Sequence, residues 1–481
     1  MSELSVNAVA ACCRELSTHL PTQVFYPGNG AFRDMQRDYW SRQEASLSPT
    51  CIVAPGSARD VSSAVTVLTK DSRCHFAIKG GGHSPNAGYA NIHHGITIDM
   101  TPMHSVDLNA DHSVAHIGSG ARWGDVYEYL DSVGGLAVAG GENGDVGVGG
   151  LLLGGGISQF GPRVGWSCDN LVNAEIVLAS GQIVDANETS HPDLWTALKG
   201  GTSNFGIVTR YDLATFAQDR LWSRTTKHHI SLRRRAFEVL SSITNSSSYD
   251  PYAFPATELV FSSGAWSVEN VLYYTKPVDT TPGIYKPFID IPSQGKSQAK
   301  VSNLSSLANE NSVQPVMNVA LSTGTYGVDV DLLNDIFAIN NRTLQGILPR
   351  VNGSVLWSLT YQPLPSVWLG HASKKGGNSL GVSPEQGNAH VVFLTVKWTD
   401  NRASDLVQKA VSRMQDQVDE YARSRDLKRD LVYLNYAGKT QDPLSSYGKR
   451  KLQELKEVAK TYDPRGVFQT QVPGGYKLKA L

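Results

Sequence analysis

The sequence predicts an α+β protein in which one domain is assembled from both ends of the chain and the middle is inserted as a second, α+β domain carrying an antiparallel sheet. Three observations predict it. Short helical and strand-like units alternate without a periodic repeat over the first 215 residues or so, as in a mixed fold and unlike a solenoid. The 45 glycines cluster between Gly80 and Gly206, bounded by regular apolar runs rather than by a linker. After about Thr215 the glycines thin out, and a glycine- and tyrosine-bearing pattern returns only from about residue 431. The boundaries read from these shifts are 1–215, 216–430 and 431–481.

Each element follows from local chemistry. Residues 5–20 have the spacing of a short amphipathic helix. "CIVAPGSARDVSSAVTVLTK" reads as a strand from Cys51, a turn at Pro55–Gly56 and a helix opening near Ser57, a residue whose hydroxyl suits an N-cap. "HFAIKGGGHS" is a strand running into a glycine loop. "GITIDM" and "SVAHIGSGARWGDVYEYLDSVG" give two strands, a turn and a helix from near Trp123. "NLVNAEIVLASGQIVDAN" folds back around Ser180–Gly181, and "DLWTALKGGTSNFGIVTRYDLATF" is a helix, a glycine turn and a strand. In the middle, "SVLWSLTYQ" and "HVVFLTVKW" alternate as strands do. At the end come "LVYLNYAG", read as a strand, and a helix over 444–460.

Composition narrows the function. The chain has 481 residues, 41% hydrophobic and 18% charged, with a net charge of −1. A nucleic-acid binder would carry a basic excess, so none is expected as partner. No run of about 18 apolar residues offers a membrane span, and the N-terminus lacks a basic segment followed by an apolar core, so the expected compartment is the cytoplasm. No C-x-x-C or H-E-x-x-H occurs, so no metal site is expected. The five cysteines leave a pairing of Cys51 with Cys12 or Cys13 open beside free buried thiols. N-x-S/T triplets stand at Asn187, Asn245, Asn303, Asn341 and Asn352.

Two glycine loops, "KGGGHS" over 79–84 and "GDVGVGGLLLGGG" over 144–156, can present rows of backbone N–H groups to anions. Two loops in one domain point to a ligand with two phosphates, hence a dinucleotide. The fingerprint G-x-G-x-x-G is absent, because the last position falls on Leu152 or Gln159, which argues against a Rossmann dehydrogenase. "QGKS" over 294–297 lacks the leading glycine of a triphosphate loop, as residue 290 is Asp.

Lys79-Gly80-Gly81-Gly82-His83-Ser84, followed by Gly88, resembles the R/K-G-G-G-H-S segment of FAD-linked oxidases of the berberine-bridge-enzyme-like group, within the vanillyl-alcohol-oxidase/PCMH superfamily. The resemblance continues through "GSGARWGDVY" (118–127), "DVGVGGLLLGGGISQFGPRVGWSCDNL" (145–171) and "DLWTALKGGTSNFGIVTR" (193–210), and ends in "YLNYAG" (433–438) and "YDPRGVF" (462–468). The middle of the chain matches only through "YQPLP" and "GGNSLG". The flavour is fungal. The resemblance implies a two-subdomain FAD-binding domain built from both chain ends and an inserted substrate domain. It implies that FAD is held covalently by the His83 imidazole at the flavin 8α carbon. The cofactor cradle it implies comprises Lys79, Gly80, Gly81, Gly82, Ser84 and Gly88, then Val146, Gly147, Gly149, Gly150 and Gly154, then Gly206, Ile207, Val208 and Asn435.

Many relatives carry a second tether, a cysteine in C-x-x-V-G-x-G-G; here that position is Asn143, so a single covalent bond is expected. Close fungal relatives often have arginine where this chain has Glu142. A small valine at 146 implies access for dioxygen and therefore an oxidase releasing hydrogen peroxide. The second tyrosine of Y-x-N-Y, Tyr436, is the implied base, which requires neighbours that lower a phenol pKa of ~10. Alternation puts Tyr436 and Leu434 on one strand face and Tyr433 and Asn435 on the other. In "WSLTYQP", Trp357, Leu359 and Tyr361 share a face opposite Ser358, Thr360 and Gln362; Tyr361 and Gln362 are the pocket candidates, and His371 and His390 are read as surface or loop residues. Expected partners are a small organic substrate and O2, with substrate and oligomeric state unread. Oxidative cyclisation, carbohydrate oxidation and a degenerate binding protein stand as alternatives to simple oxidation of a C–OH, C–H or C–N carbon.

Overall fold

The computed structural model describes residues 3–310 and 316–478, and side chains from residue 7 onward. Its N-terminal part holds two larger sheets, beside a two-stranded pair of Leu136–Ala137 with Phe216–Ala217. In the smaller, Cys51–Val53, Ile96–Asp99 and Phe76–Lys79 run parallel, with Val24–Phe25 antiparallel at the edge. All three parallel strands are almost wholly buried, as expected where helices cover both faces. Helix Ala58–Leu68 starts where the cap residue is right: Ser57 Oγ accepts from Asp60 N at 3.2 Å. Helix Glu3–His19 is fastened to this sheet by two disulfides, Cys13–Cys51 and Cys12–Cys74, leaving Cys168 as a buried free thiol.

The second sheet is antiparallel, in the order Val106–Leu108, Val114–Gly118, Ile207–Ala214, Leu171–Val177, Ile183–Asn187. The last two strands form the fold-back around Ser180–Gly181, where Gly181 takes φ +85°.

The third sheet has eight antiparallel strands: Lys300–Ser302, Leu221–His229, Ala265–Tyr274, Ala253–Ser262, Val355–Leu364, Ala389–Trp398, Asn318–Gly327 and Lys428–Arg429. Period-two alternation decides which face meets what. Trp357, Leu359 and Tyr361 join Leu259, Phe261, Leu394 and Val396 in one core, closed by Phe237, Leu333, Ile336 and Val411 from helices Arg233–Thr244, Val330–Ile347 and Ser404–Ser424. Leu364, Ala389 and Val391 instead join the core of the antiparallel five-stranded part. The sheet therefore has one face on its own helices and part of the other against the glycine-rich region.

The final 50 residues return to the first part. Gln471 Nε2 donates to the carbonyls of Leu68, Asp71 and Cys74, and Phe468 packs edge-on to Phe76. The expected single helix over 444–460 is split: a short turn Pro443–Ser446 and a helix Lys449–Tyr462, separated at Gly448 with φ +88°. "YLNY" is not a strand but a 3-10 turn, Leu434–Tyr436, so the alternation expected there does not apply. No described helix is long and apolar enough to cross a membrane.

Candidate active site

The two glycine loops meet backbone to backbone. A Cβ on Gly81 would lie 2.5 Å from Gly147 Cα, and one on Gly147 would lie 2.4 Å from Gly81 N, so neither position tolerates a side chain. The first loop is held from below by charge. Lys79, 1% exposed, donates to Asp99 Oδ2 at 3.0 Å, to Asp38 Oδ2 at 3.2 Å and to the Met35 carbonyl. Arg122 donates to Asp38 Oδ1 at 2.6 Å and to the Gly81 carbonyl at 3.1 Å. Lys79 thus braces the loop and turns its charge away from the cradle in which sequence placed it. Ser84 Oγ accepts from Asn86 N at 3.2 Å and closes the turn. Gly88 N, Tyr89 N and Ala90 N all point to the carboxylate of Glu44, a buried residue that sequence gave no reason to choose.

His83 leaves this loop to stack on Trp40, ring centroids 4.2 Å apart at 14°. Burial pushes its pKa down to about 4, so the imidazole is neutral and its nitrogen lone pair available at neutral pH. Asn143, where relatives place a second tether, offers no thiol; its Oδ1 accepts from Asp145 N at 2.8 Å and shapes the turn into Val146.

The second loop is clamped by the returning chain. Asn435 Nδ2 donates to the Leu151 carbonyl at 3.0 Å and to Tyr433 Oη at 2.9 Å, and Tyr433 Oη accepts from Gly156 N and Ile157 N. Asn435 lies so close to Gly154 that a Cβ there would sit 2.0 Å from Asn435 Oδ1. Gly149 approaches Tyr211, whereas Gly150 faces open space. Gly206 lies against the Val177 carbonyl, and Ile207 and Val208 begin a buried strand.

Tyr436 follows directly. It stacks on Phe393 at 3.9 Å and 25°, meets Tyr433 edge-on at 4.8 Å, and donates to Gln362 Oε1 at 3.3 Å. Gln362 Nε2 donates in turn to Glu142 Oε2 at 3.1 Å. So the structure brings Tyr436 and Gln362 together and adds Glu142 and Phe393. Tyr361 does not join them. It lies on the opposite face, buried against Phe237 with its hydroxyl on the Leu333 carbonyl, because adjacent strand residues point to opposite sides. His390, read as a surface or loop residue, is a fully buried strand residue bonded to Thr244 Oγ1; His371 is half-buried, beside the Pro162 carbonyl.

The electrostatics here are acidic. Burial, the Glu142 charge and Tyr433 push the Tyr436 pKa well above that of a free phenol, against a smaller opposite effect of Gln362. Neighbours therefore do not lower it, as a tyrosine base was expected to need. Burial raises Glu142 to about 7, with Glu258 adding to the rise and Gln362 opposing it. Glu258, also raised to about 7 by burial and by Glu269, stands opposite Thr360 in the register and on the same face as Gln362. Sequence missed Glu258, although a carboxylate inside the apolar strand "AFPATELVFS" was a readable signal.

The sheet sets the distance between the two ends of the site. Phe393, under Tyr436, and Lys397 lie on one face of strand Ala389–Trp398, four residues or about 13 Å apart. The Lys397 ammonium sits over the Trp40 ring, which stacks on His83. A flat tricyclic ring fits that interval. The cradle also fits a pyrophosphate-bearing ligand: the Ser119 hydroxyl is buried without a hydrogen-bond partner among the described residues, and its carbonyl lies beside Gly80 and Gly149. A separate cavity of about 450 Å³, lined by Phe32, Arg33, Gln36, Arg37 and Arg42 among others, includes none of these residues.

Comparison with known proteins bears on the fold and the cofactor. Residues 49–187 match a family described as FAD binding domain. The FAD-dependent monooxygenase sdcF of Emericella nidulans is 35% identical over 475 residues, covering 97% of this chain and 98% of the relative. Among solved structures, 6-hydroxy-D-nicotine oxidase from Arthrobacter nicotinovorans shares the fold with a TM-score of 0.76 at 20% identity, covering 95% of this chain and 97% of that one. Glucooligosaccharide oxidase from Acremonium strictum, described with a 6-S-cysteinyl, 8α-N1-histidyl FAD, aligns with a TM-score of 0.76 at 18% identity over 97% and 98%.

Proposed function

Because the chain belongs to the FAD-linked oxidoreductases of the berberine-bridge-enzyme-like group, we propose that it is an oxidase of a small organic molecule in fungal secondary metabolism, with dioxygen as acceptor and hydrogen peroxide as product. One observation carries the reading: Tyr436 stacks on Phe393, His83 stacks on the Trp40 ring beneath the Lys397 ammonium, and Phe393 and Lys397 share one strand face about 13 Å apart, a span that a tricyclic ring would bridge. FAD bound there supplies a two-electron acceptor that dioxygen can reoxidise. The protein holds it through the neutral His83 imidazole, the backbone of the two glycine loops and the Ser119 turn. Asn143 leaves His83 as the single tether. Gln362 and Glu142 orient Tyr436 toward a substrate lying over the sheet, and Tyr436 receives its proton. The small side chain of Val146 leaves room for dioxygen. On this reading 216–430 is the substrate-binding part.

Denatured protein should retain yellow colour and in-gel flavin fluorescence, and His83→Ala should lose both. Reduction by substrate in air should yield one peroxide per turnover; reduced flavin that stays reduced in air overturns the oxidase. That the relative sdcF is named an FAD-dependent monooxygenase supports a second reading, monooxygenation. Turnover under ¹⁸O₂ separates them: label in the organic product supports the monooxygenase, label in peroxide alone the oxidase. For the base, Tyr436→Phe should slow anaerobic flavin reduction by roughly 10²–10⁴-fold; an unchanged rate removes Tyr436 from the reaction. The two disulfides support maturation in an oxidising compartment rather than the cytoplasm.

A further inference from the structure

Tyr436 presents a chemical difficulty that its surroundings answer. A half-buried phenol beside two glutamates does not ionise on its own near neutral pH. It is, however, the first member of a hydrogen-bonded chain that ends on a carboxylate: Tyr436 Oη to Gln362 Oε1 at 3.3 Å, Gln362 Nε2 to Glu142 Oε2 at 3.1 Å. The three residues come from three separate stretches, the turn Leu434–Tyr436, the strand Val355–Leu364 and the segment before the second glycine loop. An amide has one donor side and one acceptor side. With its NH2 group on the Glu142 carboxylate, its carbonyl must face Tyr436, and the phenol must donate to it. The Tyr436 oxygen lone pairs are then left facing away from Gln362, free to accept.

We propose that Tyr436 and Glu142 act as one proton-sharing unit through the Gln362 amide, so that a proton taken up by the Tyr436 oxygen is matched by one delivered to Glu142. This rests on Tyr436 being the base of the proposed reaction. As the X–H bond of the substrate breaks, X being oxygen or nitrogen, its proton forms a new O–H bond on Tyr436 and the electron pair stays on X. The original Tyr436 proton moves to Gln362 Oε1, and an Nε2–H proton of Gln362 moves to Glu142 Oε2. Tyr436 begins and ends as a neutral phenol. Gln362 ends as its neutral imidic acid, and Glu142 changes from carboxylate to carboxylic acid. Loss of the Glu142 proton to water and return of the Gln362 tautomer reset the chain. No phenolate forms, which removes the conflict with a Tyr436 pKa held high by burial.

The titrating groups around Glu142 favour a working range near neutrality. Glu142, at about 7, faces Gln362 and Tyr436, Glu258 on strand Ala253–Ser262, and Tyr127 on helix Trp123–Val133, whose hydroxyl donates to the Gly141 carbonyl. Beyond Glu258 lies Glu269, paired with Lys227 at 2.9 Å. Tyr127 and Tyr436 are both held protonated, so Glu142 and Glu258 are the groups that change charge here around pH 7.

The test uses flavin-loaded protein labelled with [¹³Cζ]tyrosine, the Tyr436 signal being the one missing from Tyr436→Phe. In the wild type this signal should shift with a midpoint near pH 7. The shift should be lost in Glu142→Gln and in Gln362→Met, and kept in Glu142→Asp and in Glu258→Gln. Unchanged signals from the other tyrosines and an unchanged flavin absorption spectrum show that a variant is folded. Should Glu142→Gln not fold, Gln362→Met decides alone. A Tyr436 signal that does not move, or that moves equally in Glu142→Gln or Gln362→Met, overturns the proposal. That result leaves the Tyr436→Phe reduction rate to judge the base separately.

Discussion

A carboxyl group placed where water is scarce reveals itself through pH. Glu258 is held at about 7 against an ordinary 4.5, chiefly by burial and then by Glu269. Its folded pKa is raised, so the folded state binds the extra proton. Stability is therefore full below about pH 4.5 and falls as pH rises to about 7, after which the loss is constant. Glu258→Gln should raise the melting temperature at pH 8, by a free energy of at most about 3 kcal/mol, and leave it unchanged at pH 4; equal melts at both pH values would show that Glu258 is solvated. At this scale the sequence was partly legible. A histidine ending a glycine triplet, a turn serine and an asparagine between tyrosines are local signals, and the structure sets His83, Ser84 and Asn435 at the two glycine loops. Glu142 was noted only as a position where relatives differ, since its partners Gln362 and Tyr436 lie hundreds of residues away. Lys79 was read as part of the cradle, and nothing local says that its ammonium is turned toward Asp99.

Strands are more transparent than turns. Trp357 and Ser358 are neighbours in Val355–Leu364, yet one is buried against helices with its indole N–H on Asn340 Oδ1 at 3.1 Å and the other faces across the sheet. Trp357→Ala should cost ~3–5 kcal/mol in denaturant unfolding. Ser358→Ala should cost within about 0.5 kcal/mol. Comparable losses at both positions would mean that the period-two reading of this element is wrong. That reading was available beforehand because a tryptophan, a leucine and a tyrosine recur at every second position of "WSLTYQ". "YLNY" has the same alternation but is a turn, Leu434–Tyr436, closed by the Ala437 N–H on the Leu434 carbonyl, while Asn435 spends its amide on Leu151 and Tyr433 its hydroxyl on Gly156 and Ile157. The helix break at Gly448 was missed for a similar reason, as its φ of +88° is a property of the backbone and not of the pattern around it.

Across the whole molecule, the covalent ties lie at one end. The disulfides Cys13–Cys51 and Cys12–Cys74 close loops of 38 and 62 residues and fix helix Glu3–His19 to the parallel sheet. Replacing one pair, by Cys13→Ser with Cys51→Ser, should lower stability by about 2–4 kcal/mol, and thiol titration of the unfolded wild type should find one free group, Cys168; five would dismiss both bridges. Sequence left a Cys51 pairing open but offered no partner for Cys74, because spacing does not say which cysteines meet. The two-ended domain, by contrast, was visible in the glycine distribution. It has a consequence for the order of events in the cell. The clamp from Asn435 reaches back 284 residues to Leu151. A ribosome that has made every glycine of the cradle has still not made the parts that hold it in shape. A nascent chain should therefore load its cofactor only once residue 435 has been made, and a chain cut short before that residue should be isolated without flavin colour.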